Sequence, residues 1–338
     1  MRQLQFVEKG KLEWREAPDP KLEGDGEAIV RPVALATCDI DVAFVQGRFP
    51  AQPFPFGHEC VAEVTDVGDG VKSIAPGDLV SVPFQISCGE CDACRAGRTG
   101  NCDSVARLST YGLPIGDDYG GFASDSVKVP YPDAMLVPIP DGVSAATVAS
   151  LSDNIPDAWR CVAPPLADRP GAPVLIAMGA GSIALYSIAI ALALGAERVD
   201  VVGGNSRDRE LAAKLGANVL GEEFPNRVGF YPVTVDASAD PDGIACVLRS
   251  TDRDGYSTSI GIYLEPTPLP LLDMFTQGIT FVTGRPHVRT IMPQVLDLVR
   301  EGKFDPDPMT VNRVDWDDAQ EALSDLRAKT VVSREGAA

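Results

Sequence analysis

The sequence predicts an α/β protein of two domains, an irregular β-barrel followed by a doubly wound parallel sheet. Three observations carry this expectation. Up to about residue 150 the chain reads as short, β-branched strands separated by turn residues. From Pro173 the rhythm changes to strand, helix, strand, the pattern of a parallel sheet with crossover helices. At the first of those strand–helix junctions stands a glycine-rich turn, Gly179-Ala180-Gly181. A chain of 338 residues is long enough to fill two cores.

In the first part, residues 27–33 and 60–67 have the partly alternating, β-branched pattern of strands. Gly68-Asp69-Gly70 and Ala75-Pro76-Gly77-Asp78 are turn chemistry, and residues 79–83 form a strand after them. In the second part, 174–178 is a strand of buried type and 182–194 a helix apolar nearly all round. A strand at 199–202 and a helix at 207–215 come next, then strands at 233–236, 259–263 and 279–282. The closing stretch, from about Pro293, predicts helices at 294–300 and 317–328.

Composition is that of a globular protein, with 45% apolar and 23% charged residues. A formal charge of −19 repels phosphate backbones and anionic lipid, so neither nucleic acid nor a membrane surface is an expected partner. No segment approaches the roughly 18 apolar residues of a membrane helix, and the N-terminus lacks the apolar core of a signal peptide. The expected location is the cytoplasm, where thiols stay reduced and clustered cysteines point to metal rather than disulfides.

Cys88, Cys91, Cys94 and Cys102 stand as C-x2-C-x2-C-x7-C. Four thiolates from one loop close a tetrahedron around zinc, leaving no position for substrate, so the ion would pin a loop. Gly89, Ala93, Gly97 and Gly100 let the backbone bend around it. Iron–sulfur or redox chemistry is the other use of such a cluster. Upstream, Phe56-Gly57-His58-Glu59 holds one of only two histidines, with Cys38 about twenty residues before it. Cys38 and His58 read as a second zinc site; the plain alternative for Cys38 is a buried core thiol. His287 has no motif around it and reads as structural.

The cluster spacing, Gly57-His58-Glu59 after a cysteine, and the turn after Pro173 together resemble the zinc-dependent medium-chain alcohol dehydrogenases. Gly120-Gly121-Phe122-Ala123 and residues 136–142 are smaller echoes, and the resemblance covers essentially the whole chain. It implies a GroES-like β-barrel catalytic domain over 1–153, a Rossmann cofactor domain over 154–293, and a return to the catalytic domain over 294–338. It also implies a third zinc ligand just before the cofactor domain, where this chain offers Asp153, as in the branch of polyol, threonine and formaldehyde dehydrogenases that uses a carboxylate. Cys161 lies too far along to match. The implied catalytic set is Cys38, His58 and Asp153, with Glu59 beside the metal; a helix cap is the alternative use of Asp153. The chain departs from the family at Ile40, where serine or threonine relays the substrate proton, with Asp39, Thr37 or solvent as substitutes. Ala62 replaces a glycine, and Asp157 replaces a threonine, where a carboxylate would steer a polar substrate.

Gly179-Ala180-Gly181-Ser182-Ile183-Ala184 is G-x-G-x-x-A between a strand and a helix. Gly179 allows the turn, Gly181 lets a pyrophosphate approach, and the N-terminus of the helix, at Ser182 and Ile183, faces the phosphates. After 199–202 the acid that holds the ribose of NAD is missing. Gly203, Gly204, Asn205, Ser206 and Arg207, with Arg209 nearby, leave room and donors for a 2′-phosphate, so NADP is expected over NAD; the plain alternative is that these arginines are solvated helix residues. The expected protein is a dehydrogenase with two zinc ions per chain that moves hydride between an alcohol or polyol and its carbonyl, as a homodimer or homotetramer. A zinc-independent NADPH reductase and a non-catalytic nucleotide-binding scaffold of the same fold are the other readings.

Overall fold

The computed structural model describes residues 1–179 and 181–336. In chain order, the strands β1 (Arg2–Glu8), β2 (Lys11–Glu16) and β3 (Ala28–Ala36) precede helix α1 (Asp39–Val45). Then come β4 (Phe54–Pro55), β5 (Glu59–Val67), β6 (Leu79–Val82), α2 (Asp92–Arg95), β7 (Val127–Val129), α3 (Pro132–Met135), β8 (Val137–Pro138) and α4 (Asn154–Asp168). The alternating region holds β9 (Val174–Met178), α5 (Ser182–Ala193), β10 (Val199–Gly203), α6 (Ser206–Lys214) and β11 (Asn218–Gly221). It continues with β12 (Tyr231–Ala237), α7 (Pro241–Ser250), β13 (Thr251–Ser259), α8 (Leu271–Gln277) and β14 (Thr280–Thr283). The chain closes with α9 (Val288–Arg300), β15 (Asn312–Asp315), α10 (Ala319–Ser324) and β16 (Thr330–Ser333).

Two compact units result. The first comprises Met1–Pro156, His287–Gly302 and the residues from Thr310 onward. Its sheets run β2-β1-β4 and β15-β16-β3-β5-β6-β8, with β7 also on β3. They enclose an apolar core that includes Leu4, Phe6, Phe56, Val64 and Phe122. Two registers gather distant residues at one end of the larger sheet. Antiparallel pairing of β3 with β5 sets Ala36 opposite Glu59, so the residues just after β3 meet those just before β5. Pairing of β16 with β3 sets Val331 opposite Ala36 and brings Lys329 to the same end.

The second unit comprises Asp157–Pro286 and Lys303–Met309. Its six strands run β11-β10-β9-β12-β13-β14, all parallel, the 3-2-1-4-5-6 order of a dinucleotide-binding sheet. All five residues of β9 are buried, and α5 is buried on most of its circumference, as its continuous apolar run requires.

Three elements differ from the sequence expectation. The strand expected at 259–263 lies upstream, at β13; Ser257, Thr258 and Ser259 are buried, whereas Ile262 and Leu264 are 55% and 68% exposed. Apolar side chains there pointed to a strand that polar residues form. Helix α9 starts at Val288 and runs through Pro293. Its buried stripe, Val288, Met292, Val295 and Leu296, outweighs the lost backbone bond. His287 Nδ1 accepts the Gly100 N–H at 3.2 Å and the Val288 N–H donates to Gln85 Oε1 at 3.3 Å, tying this segment to the first unit before residue 294. The last helix is confined to α10, because Trp316–Asp318 forms a 3-10 turn and the chain must extend again to enter β16.

Candidate functional site

The ends of β3 and β5 and the start of α4 deliver Cys38, His58 and Asp153 to one buried point of the first unit. One ligand atom from each lies within 4.8 Å of the others. His58 Nε2 stands 3.5 Å from Asp153 Oδ2; two atoms bound at 2.0–2.1 Å to a common tetrahedral centre stand about 3.4 Å apart. His58 is fully buried, and neither ring nitrogen has a hydrogen-bond partner among the described residues. An imidazole left in that state costs free energy unless something else binds it. Burial, reinforced by Asp153, pushes the Cys38 thiol up to about 12, so the sulfur keeps its proton unless a cation joins it. The donor set therefore fits a divalent metal, and thiolate with carboxylate would balance its charge.

Around these three lies a shell that the sequence did not reveal. Asp41 is wholly buried; its Oδ2 accepts the Cys38 N–H at 2.8 Å and its Oδ1 stands 3.4 Å from His58 Nδ1. Burial favours neutral imidazole, but Asp41 and Asp153 outweigh it and hold the His58 pKa well above the ordinary value. The three-residue spacing of Cys38 and Asp41, that of a capping box, is the signal by which Asp41 was findable. Lys329 carried no local signal. Its Nζ donates to Glu59 Oε2 at 2.7 Å and to Asn154 Oδ1 at 2.9 Å. Burial raises the Glu59 pKa to about 7 against the pull of Lys329. Glu59 Oε1 accepts the Asn154 N–H at 3.1 Å, so both carboxylate oxygens are engaged and Glu59 stands outside the convergent ligand group.

The four cysteines of the loop also converge, with ligand atoms within 4.8 Å of one another. Cys91 Sγ and Cys102 Sγ are 3.9 Å apart, close to the 3.8 Å or so between sulfurs 2.3 Å from a tetrahedral centre. Backbone N–H groups of Glu90 and Cys91 point at Cys88 Sγ, those of Cys94 and Asp103 at Cys91 Sγ, and those of Cys88 and Ser104 at Cys102 Sγ, all at 3.3–3.4 Å. Burial opposes ionisation of Cys88, but the Ser104 hydroxyl and the two N–H groups bring its thiol down to about 6. His287 Nδ1 accepts the N–H of Gly100, which lies within this loop.

In the second unit the glycine turn comes after β9 and opens α5; Ala180 lies outside the described residues. A Cβ on Gly179 would fall 2.6 Å from the Ser238 carbonyl oxygen, which explains glycine there through the close approach of β12. Ala184, 2% exposed, permits tight packing of α5.

Residues 24–141 match the alcohol dehydrogenase GroES-like domain. Glutathione-independent formaldehyde dehydrogenase of Pseudomonas aeruginosa is 34% identical over 83% of this chain and 72% of its own length. L-threonine 3-dehydrogenase of Pyrococcus abyssi is 30% identical over 90% of this chain and 89% of its own. The chain belongs to the zinc-dependent medium-chain alcohol dehydrogenase family. It is an oxidoreductase. The fold agrees: alcohol dehydrogenase from Thermus sp. ATN1 superposes with a TM-score of 0.86 at 24% identity, covering 99% of this chain and 100% of that one.

In this dehydrogenase the expected adenosine-side residues lie at the end of β10 and the start of α6. Gly203 has φ +80°, and a Cβ there would fall 2.4 Å from the Phe224 ring, so an acid is sterically barred from this position. Asn205 caps α6, accepting the Asp208 N–H at 2.9 Å, while Arg207 donates to Asp208 at 2.7 and 2.9 Å and Arg209 pairs with Glu222 at 2.8 Å. Asn205, Ser206 and Arg207 are exposed. Asp157 is ion-paired with Arg160, whose other nitrogen donates to the Gly284 carbonyl, so this carboxylate is held by its own helix. Ile40 is half-buried in the first turn of α1; Thr37 is 1% exposed and its hydroxyl accepts the Thr330 N–H at 3.0 Å. Among the described residues no helix is long and apolar enough to cross a membrane.

Proposed function

We propose that this dehydrogenase interconverts an alcohol or polyol and its carbonyl, with one zinc held by Cys38, His58 and Asp153 and a second held by Cys88, Cys91, Cys94 and Cys102. The observation that carries the reading is the convergence of a thiol, a carboxylate and a buried imidazole whose ring nitrogens make no hydrogen bond among the described residues. Zinc in that set supplies Lewis-acid polarisation of an alcohol or carbonyl oxygen, and a nicotinamide cofactor supplies the hydride acceptor or donor. The chain's own residues do the rest. Asp41 faces His58 Nδ1 at 3.4 Å, an ion-pair contact through which it would orient the ring as outer carboxylates do for metal-binding imidazoles. The Glu59–Lys329 pair places a buried, hydrogen-bonded ion pair beside the ligands, in which each charge offsets the other. Ile40 carries no proton, so the substrate proton would pass to Asp39, to solvent or through the Thr37 hydroxyl, which accepts the Thr330 N–H and keeps its own proton to donate.

Zinc analysis tests the reading. The purified protein should hold two zinc ions per chain, falling to one in Cys38→Ser, with alcohol-dependent reduction of NADP or NAD lost in parallel. One zinc in both proteins would instead favour the zinc-independent reductase or scaffold.

We favour NADP as the cofactor because Gly203 bars the ribose-binding acid and Arg207 is exposed beside it. Arg207→Ala should raise KM for NADP by roughly tenfold and leave that for NAD within a factor of two, since a charge-assisted contact is worth about 1.5 kcal/mol. Equal effects on both cofactors would sink this assignment.

The proposed oligomer forms through the cofactor sheet. β14 is its edge strand, and Leu271, Leu272 and Phe275 of α8, which packs on the neighbouring strand β13, are 67%, 76% and 84% exposed. Phe275→Asp is expected to shift the protein to monomer in light scattering, with its circular dichroism unchanged.

A further inference from the structure

We infer that Asn154 is a positioning residue for the metal site: its carboxamide, locked by Lys329, donates to Cys38 and Asp153 and so sets how strongly those two ligands bind the metal. The inference rests on the proposed zinc site and goes beyond it, to what tunes the ligands.

Asn154 is wholly buried, and three of the four hydrogen bonds its side chain can make go to groups of the site. Nδ2 donates to Cys38 Sγ at 3.0 Å and to Asp153 Oδ2 at 3.1 Å. Oδ1 accepts from Lys329 Nζ at 2.9 Å. The chemistry of the partners fixes which way the amide points. An ammonium only donates, so the oxygen must face Lys329; a carboxylate only accepts, so the NH2 group must face Asp153, and its second hydrogen then reaches Cys38 Sγ. Turning the amide over would set donors against the ammonium and an oxygen against the carboxylate. Lys329 is held in turn by Glu59 Oε2, and Glu59 Oε1 accepts the Asn154 backbone N–H at 3.1 Å, which closes the circuit.

The amide acts on the ligands in two ways. Cys38 and Asp153 are held in place before a metal arrives. A sulfur that accepts an N–H also has less charge to share; this lowers its donor strength slightly and would be read in a charge-transfer band, whereas the larger effect, on affinity, comes from the positioning. An asparagine that merely filled space at the first turn of α4 would need neither the fixed orientation nor both acceptors. Ligand-orienting partners of this kind are worth about 10- to 100-fold in metal affinity.

The test uses the intact protein with zinc left in the four-cysteine cluster and cobalt(II) loaded at the Cys38 site. The sulfur-to-cobalt charge-transfer band that belongs to this site is the one missing in Cys38→Ser. Asn154→Leu, of nearly the same shape but without donors, is expected to move that band to longer wavelength and to weaken zinc binding about 10- to 100-fold in chelator competition. Lys329→Met, which frees the amide to turn, should move the band in the same direction by less. Should the leucine variant fail to fold, Asn154→Ala, which leaves room for water at Lys329, carries the same test. A band unmoved in the folded variant, with zinc affinity within twofold of the parent, overturns the inference and leaves the zinc site standing. A parent protein that binds no metal at Cys38 overturns both.

Discussion

Asp153→Ala is expected to lower kcat/KM for the best alcohol by on the order of a thousandfold or more, while the protein melts within a few degrees of the parent. The magnitude comes from the loss of several kcal/mol of Lewis-acid stabilisation, each 1.36 kcal/mol being tenfold in rate. The fold should survive because Asp153 sits at a chain junction where the Ser152 hydroxyl, not the carboxylate, carries the tertiary hydrogen bonds: it accepts the Cys60 N–H at 2.8 Å and donates to the Cys60 carbonyl at 2.9 Å. Removing Asp153 takes one charge from a site that still holds Cys38 and His58. A steady-state assay together with zinc analysis checks this, and a fully active Asp153→Ala enzyme would refute the ligand assignment. Cys38→Ser should behave alike, with the added loss of the thiolate that anchors the set.

Cys102→Ser is expected to act on stability first. The loop from Cys88 to Cys102 contains little regular structure, a single turn of α2 and a 3-10 turn at Thr99–Asn101, and only Ala93, Cys94 and Thr99 within it are buried. Without the ion the loop keeps few contacts to offset the entropy of ordering it. A loss of about 3 kcal/mol would lower the melting midpoint by roughly 6–12 °C. Hydrogen exchange should locate the damage, with protection lost over residues 88–104 and retained in β3 and β5. Exchange that rises equally in both regions would mean that the cluster supports the whole first unit rather than one loop.

Much of this was legible in the sequence, for reasons that differ from residue to residue. The cluster was legible because four like ligands at short spacing are a local pattern with few other uses. The parallel sheet was legible because β9 and α5 are continuous apolar runs flanked by glycine. Cys38, His58 and Asp153 became a set only through family resemblance; spacings of 20 and 95 residues contain no geometry. β13 was misplaced because its inward positions are serine and threonine, held by partners such as the Ser259–Asp236 hydrogen bond of 2.6 Å rather than by apolarity. Lys329 was invisible for a stronger reason. A lysine near the start of a strand is ordinarily solvent-exposed, and only the register of β16 on β3 turns this one inward.

That register also bears on how the protein matures. The ammonium that neutralises Glu59 is separated from it by 270 positions along the chain. A ribosome that has delivered Cys38, His58 and even Asp153 has made the three ligands proposed for this site, yet not the cation that steadies the carboxylate beside them. Contacts so remote in sequence form late, because the intervening chain must first be closed into a loop. A nascent chain should therefore acquire the zinc proposed for the cluster, whose cysteines span only fifteen residues from Cys88 to Cys102, well before the other proposed site is mature. The two metal sites of one polypeptide would then fill on different clocks, the first during synthesis and the second only after the last strands have folded back.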